Sequence, residues 1–287
     1  MTLASCDSRK TAGENPFFTE WDTPHGVPPF DKILPEHFMP AFERGMSLHE
    51  AEIDAITSNK DEATFENTIL AYDDAGQMLA QTELVFGMLC AAETNDRMQA
   101  LQEQAMPLLA AHRDKIRLDD KLFVRVKEVY DRRAALGLDA EQMRLLQKTY
   151  DSFVRAGALL DAEQKARLKE INGQLSLTAV KFGNNILAEN NNFVLELKSD
   201  ELDGLPAGIR DAAREKAQQM GKGDKWVFTL HKPSLIPLLT YSTRRDLRDK
   251  IYKAYLNRCN NGDEYDNKQL INDFIRLRTE KAHLLGY

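Results

Sequence analysis

The sequence predicts an all-α protein, mainly helical, with a minor two-stranded β ribbon. Three observations carry that reading. Apolar residues recur at steps of three and four along most of the chain, the spacing that gathers side chains on one face of a helix. Capping residues bracket these runs: Asn95 stands before one, and Asp139 with Gln142 and Asp161 with Gln164 form two matching capping pairs. Only residues 193–197 (FVLEL) and 226–230 (WVFTL) are short, rich in aromatic or β-branched residues, and flanked by Asn, Lys and Gly clusters as strands are.

Taken in order, residues 15–31 hold four prolines among Phe17, Phe18, Trp21 and Phe30, a composition too aromatic for a flexible linker and too proline-rich for a helix. This segment is expected to lie extended against the helices after it. Pro35 opens the first of these, whose stripe is Phe38, Phe42, Met46, His49, Ile53 and Ile56. Thr64 begins a longer pattern through Ile69, Tyr72, Leu79, Phe86 and Leu89, read as one helix. Asn95 caps the next, with Met98, Leu101, Ala105, Leu108 and His112 inward. Asp119 or Asp120 starts another, carrying Leu122, Phe123, Val126 and Tyr130 and closing around Gly137. The two capping pairs then open helices with stripes Leu145, Leu146, Phe153, Leu160 and Leu168, Ile171, Leu175, Phe182, Ile186. A helix over 206–220, stopped by Gly221, separates the strands, and Ser242 is expected to cap a helix through Leu247, Ile251, Ala254 and Tyr255.

The last helix is framed by Asp266 with Gln269 at its start and Gly286 at its end. Leu270, Ile271, Phe274, Ile275, Leu277, Ala282 and Leu285 are read as one wide apolar face. The expectation is that this face is exposed, that it makes the isolated chain prone to association, and that the chain is the first part of something larger.

With 287 residues, 43% of them hydrophobic, the chain is long enough for a sizeable core. Interleaved charges, 38 basic against 45 acidic, give a net charge of -7, which disfavours a nucleic-acid partner. No apolar run approaches the roughly 20 residues that span a bilayer, so no transmembrane segment is expected. Three scattered cysteines exclude a disulfide scaffold; Cys90 and Cys259 read as small core residues in helical patterns. Leu3-Ala4-Ser5-Cys6 looks like the box at which bacterial lipoprotein signals are cleaved, although no apolar segment precedes it. Residues 1–14 are accordingly read as a disordered leader or a lipoprotein tether, and the location as cytoplasmic or periplasmic, lipid-anchored through Cys6 if a signal segment lies upstream.

Catalytic signatures are missing. His49-Glu50 begins like the zinc motif H-E-x-x-H, but Ile53 stands where the second histidine is needed, so the pair cannot chelate. His25, His37, His112, His231 and His283 form no pair at ligand spacing and read as surface or core histidines. No phosphate-binding loop, dinucleotide fingerprint or nucleophile elbow occurs. The run Arg244 to Lys250 reads as a solvated helix face with favourable four-residue ion pairs, Arg245 with Asp249 and Asp246 with Lys250. No residue is assigned as catalytic, cofactor-binding or metal-ligating.

Several segments nevertheless carry a resemblance. They are NPFF at 15–18, PPFDKILPEHFMPAFERGM at 28–46, FENTI at 65–69, FVRAGALL at 153–160, RRDLRDKIYKAYLNR at 244–258 and DNKQLINDFIRLRTEKAHLLGY at 266–287. Together they resemble the N-terminal portion of the thimet oligopeptidase and neurolysin family of zinc peptidases, most closely its bacterial peptidyl-dipeptidases, also called dipeptidyl carboxypeptidases. The resemblance implies a neurolysin-like helical lobe over 15–287 that walls part of a channel for short peptide substrates. It implies zinc in a full-length parent, held by an H-E-x-x-H region downstream of this chain, with none bound by the chain itself. The missing C-terminal catalytic region is then its partner within the same polypeptide. Two alternatives remain at this point: an oligopeptidase of the same family that cleaves internal bonds, and a non-catalytic helical binding or scaffold protein that keeps the lobe.

Overall fold

Helix pattern and capping residues agree over most of the chain, and most segments fold where that agreement puts them. The computed structural model describes residues 15–287, so the leader or lipid tether expected over 1–14, Cys6 included, lies outside the described residues. The helices are α1 (Phe38–Ser58), α2 (Ala71–Asp74), α3 (Gln77–Ala92), α4 (Asp96–Arg117), α5 (Asp120–Asp131), α6 (Ala140–Ala156), α7 (Ala162–Asn192), α8 (Ala207–Gln219), α9 (Lys232–Tyr241), α10 (Arg245–Leu256) and α11 (Lys268–Leu284). Two strands, β1 (Leu195–Leu197) and β2 (Trp226–Phe228), pair antiparallel with Leu195 opposite Phe228 and Leu197 opposite Trp226. The fold is therefore mainly all-α with one small ribbon. No helix among the described residues is long and apolar enough to cross a membrane.

The chain divides into two compact units, residues 15–177 with Thr279–Tyr287, and Thr178–Arg278. The division falls within α7 and within α11.

In the first unit the aromatic N-terminal segment docks through its rings. Phe17 is buried against Phe38 at 5.4 Å between centroids, and Phe86 meets Phe38 at 4.9 Å and Phe42 at 5.3 Å. Each fully buried ring contributes about 1.5–3 kcal/mol, so this cluster fixes the segment on α1 and α3. The segment is not simply extended: short 3-10 turns form at Pro16–Phe18, where Asn15 accepts the Phe17 N–H, and at Pro24–Gly26. A second core joins Ile69, Leu122, Val126, Leu146 and Phe153 from the chain between α1 and α6. Its loop is clamped by Arg125 of α5, nine-tenths buried, which donates to the carbonyls of Asn59 (2.9 Å) and Asp61 (3.1 Å) and to Asn67 Oδ1 (3.2 Å).

The predicted capping pairs form as read. Asp139 Oδ1 accepts from the Gln142 N–H at 2.9 Å while Gln142 Oε1 accepts from Asp139 N–H, and Asp161 with Gln164 repeats the exchange. Asp119 caps α5 through the Leu122 N–H at 2.8 Å.

Four local readings are corrected. The single helix expected from Thr64 is a π-turn (Phe65–Leu70), the short α2 and, after a break at Ala75 and Gly76, α3. Gly76 sits at φ +78° there, a left-handed conformation only glycine adopts cheaply, which ends the helix despite its intact apolar spacing. Ser242 closes α9, and α10 starts after Arg244, whose N–H donates to Ser242 Oγ at 3.2 Å. At α11, Asp266 accepts from the Lys268 and Gly262 N–H groups rather than exchanging with Gln269, and the buried Asn267 turns inward to accept from Asn185 Nδ2 at 2.8 Å. Cys259 lies in the turn after α10 at φ +56°, not in a helix; it is buried, and burial with the neighbouring Glu189 carboxylate pushes its thiol pKa up to about 12.

The second unit packs β1, β2, α8, α9 and α10 around Leu195, Leu197, Phe228, Leu238 and Ile251. Here the apolar face read on α11 divides. Leu277 is buried, whereas Ile271 and Ile275, about 100° further round the helix than Leu270 and Phe274, are 44% and 59% exposed.

Candidate functional site

Side chains able to carry chemistry converge at one place among the histidines. α1 presents His49, Glu50 and Glu52 in its last turns, α4 presents His112 and Lys115, and the break before α3 places Gly76 beside them. His112 Nε2 and His49 Nδ1 lie 3.0 Å apart, and the rings meet edge to face with centroids 5.0 Å apart. His112 Nδ1 faces Glu50 Oε1 at 3.4 Å, and Glu50 is held from its other side by Lys115 at 2.7 Å. Glu52 Oε2 accepts the Gly76 N–H at 2.7 Å, which ties the break to α1. A Cβ at position 76 would stand 2.9 Å from His49 Nδ1, so glycine is needed for the close approach as well as for its φ.

The electrostatics follow from this packing. Burial lowers the pKa of His112, against the pull of Glu50, which raises it. Burial also lowers His49, and the neighbouring His112 lowers it further, while Glu52 and Glu50 oppose. The Lys115 hydrogen bond holds Glu50 below the ordinary carboxylate value.

The separation of these histidines in sequence, 63 residues, hid their meeting, because the absence of a pair at ligand spacing says nothing of contacts in space. One signal was present: both occupy inward positions of their helical stripes. The arrangement does not fit a catalytic zinc. Such a metal takes three protein ligands at about 2.0–2.2 Å around one point. Here the nitrogens that face each other are spent on their own hydrogen bond, and Glu50 lies at the opposite nitrogen of His112, so the three groups do not converge. Among the described residues, no group of three or more His, Cys, Asp or Glu side chains is placed to hold a metal. The cluster joins α1 to α4 and seats Gly76.

The remaining histidines stand apart. His37 Nδ1 accepts the Leu34 N–H at 3.1 Å, His25 lies in an exposed turn at φ +60°, and His283 is exposed near the end of α11. His231 precedes α9, 3.2 Å from Thr229 Oγ1, at the rim of a cavity of about 500 Å³. Ile209, Ala213 and Phe228 give that cavity apolar walls, and Lys216 with His231 gives it a polar edge. A pocket of this size and lining can hold an apolar side chain with a polar group beside it.

No protein-family model matches the chain. Individual proteins do. Over 274 residues, 95% of this chain, it is 35% identical to "Dipeptidyl carboxypeptidase" of Escherichia coli (strain K12). The chain matches the N-terminal part of dipeptidyl carboxypeptidases and of oligopeptidase A. The Salmonella typhimurium dipeptidyl carboxypeptidase is 33% identical over 95% of the chain, and "Oligopeptidase A" of Escherichia coli (strain K12) is 26% identical over 92%. In each case the match covers 40% of the relative, so the chain spans about two fifths of the length of these peptidases. The expected resemblance to peptidases of this kind is thereby borne out.

Proposed function

We propose that this chain is the helical N-terminal region of a zinc metallopeptidase that releases dipeptides from the C-terminus of short peptides. The observation that carries the reading is the 35% identity to a dipeptidyl carboxypeptidase across 95% of the chain. The lower identity to oligopeptidase A, 26%, ranks cleavage of internal bonds second. In this reading residues 15–287 form part of the wall along which substrate peptides lie, and the catalytic groups belong to the rest of the polypeptide. Zinc bound there supplies a Lewis acid for the scissile carbonyl and an activated water. This chain's own contribution is binding and exclusion: packed helices that shape the wall, and cavities such as the one edged by Lys216 and His231 that can receive substrate side chains.

The test has two steps. The gene is read past the codon for Tyr287, and its complete product is assayed on N-terminally blocked oligopeptides. The expected result is a downstream H-E-x-x-H segment and dipeptide release that a chelator abolishes. Release of internal fragments instead selects the oligopeptidase reading, and a stop codon with no hydrolysis overturns both in favour of a binding or scaffold protein.

A further inference from the structure

Beyond that reading, and independent of it, the first unit holds a cavity of about 440 Å³ with a charge unlike that of the chain around it. Arg113 and Arg117 reach it from one face of α4, Arg155 from the last turn of α6, and Lys281 from the end of α11. Asp114 is its sole lining carboxylate among the described residues. Four basic side chains and one carboxylate line the cavity, with Glu83 pairing Arg113 at its edge, so basic groups predominate here in a protein whose net charge is -7.

The cavity floor is fixed by hydrogen bonds. Asn172 Nδ2 donates to both oxygens of Asp114, at 2.9 and 3.1 Å, and Asn172 Oδ1 accepts from Lys281 Nζ at 2.6 Å. Beside them Arg167 grips Glu280 with two bonds, 2.6 and 2.9 Å, which holds the end of α11 on α7. Lys281 is thus positioned from both sides. The arginines lie at the exposed side: Arg113 stands 3.6 Å from Glu83, Arg117 is hydrogen-bonded to Tyr72, and Arg155 is exposed. Three exposed guanidiniums on two helices around an ordered floor can each turn a planar fork toward one ligand.

We propose that this cavity is a binding site for a small polyanion, a molecule with clustered oxyanions of the polyphosphate or polycarboxylate class. Its volume suits a ligand of a few such groups, whose several oxygens the arginines of α4 and α6 can meet at once.

The test is titration calorimetry of the 287-residue chain with tripolyphosphate and, separately, citrate, at constant ionic strength set with sodium chloride. The expected result is saturable binding of one ligand per chain, with the tighter of the two probes naming the oxyanion class. Arg113→Gln with Arg155→Gln removes two exposed cations and is expected to weaken binding at least about tenfold. An unchanged circular dichroism spectrum and unfolding midpoint show that the variant is folded. Lys225→Gln with Lys232→Gln, in the second unit, controls for net charge and is expected to leave the affinity as it was. No saturable binding of either probe, or equal weakening in both double variants, overturns the proposal.

Discussion

His112 shows how a single buried ring can be read to the proton. Its Nδ1 has no hydrogen-bond partner yet faces the Glu50 carboxylate at 3.4 Å. A bare lone pair at Nδ1 would be repelled by that charge, so the favoured tautomer carries its proton there. Nε2 of His112 then accepts from the Nδ1–H of His49 across 3.0 Å. Charging either ring would place a second cation in a half-buried site, which is why both pKa values fall below the usual histidine value, for burial first. The sign of the linkage follows. A histidine preferentially neutral in the fold contributes stability that is complete above its unfolded pKa of about 6.5 and is lost as pH falls through that value toward the lower folded one. Urea midpoints measured from pH 8 to pH 5 are therefore expected to fall most steeply below about pH 6.5. His112→Gln should cost about 1–2 kcal/mol at pH 8 and flatten that fall. His283→Gln, at an exposed histidine, should leave the profile unchanged; if His112→Gln also leaves it unchanged, the pair is not the source.

Elements are set by capping and by backbone freedom as much as by apolar spacing, and the break before α3 separates the two effects. Gly76→Ala meets both a left-handed φ and the His49 ring, whereas Gly221→Ala, at φ +68° after α8, meets open space. The expected loss at Gly221 is the conformational cost alone, about 1–2 kcal/mol, with a larger loss at Gly76 because His49 must move away from His112. Equal losses in chemical denaturation would show that the ring contact has no energetic weight. Helix α11 makes the complementary point. Ile271 and Ile275 are exposed beside Phe182, Leu270 and Phe274, which together line an apolar cavity of about 310 Å³. Ile271→Ser with Ile275→Ser is expected to change stability by less than about 0.5 kcal/mol per site while reducing light scattering of the concentrated chain. Leu277→Ser, at the buried edge of the same helix, should instead unfold the chain or cost about 2–5 kcal/mol.

At the scale of the whole molecule, the chemistry proposed for the peptidase and the chemistry present in this chain are separable. The 287-residue chain is expected to retain less than one zinc per molecule after dialysis, by metal analysis, and to release no dipeptide from a blocked peptide; one tightly held zinc with chelator-sensitive release would refute that expectation. The sequence by itself determined what is local. Three-four spacing and reciprocal side-chain caps act within a few residues, so the positions of α4 to α8 and the Asp139 and Asp161 caps were legible, as were the two strands, which formed shorter than read. Stretches spread over the whole chain also carried the resemblance to the peptidases. Only the tertiary structure decided what depends on meetings between distant residues. It brought His49 to His112, let Gly76 end a helix whose apolar pattern runs on, and turned the Leu277 edge of α11 inward while Ile275 stayed out. It also gathered Arg113, Arg155 and Lys281 around one cavity. The physical reason is the same in each case: spacing along a chain fixes which side chains share a face, but burial and charge pairing depend on which other face arrives to meet them.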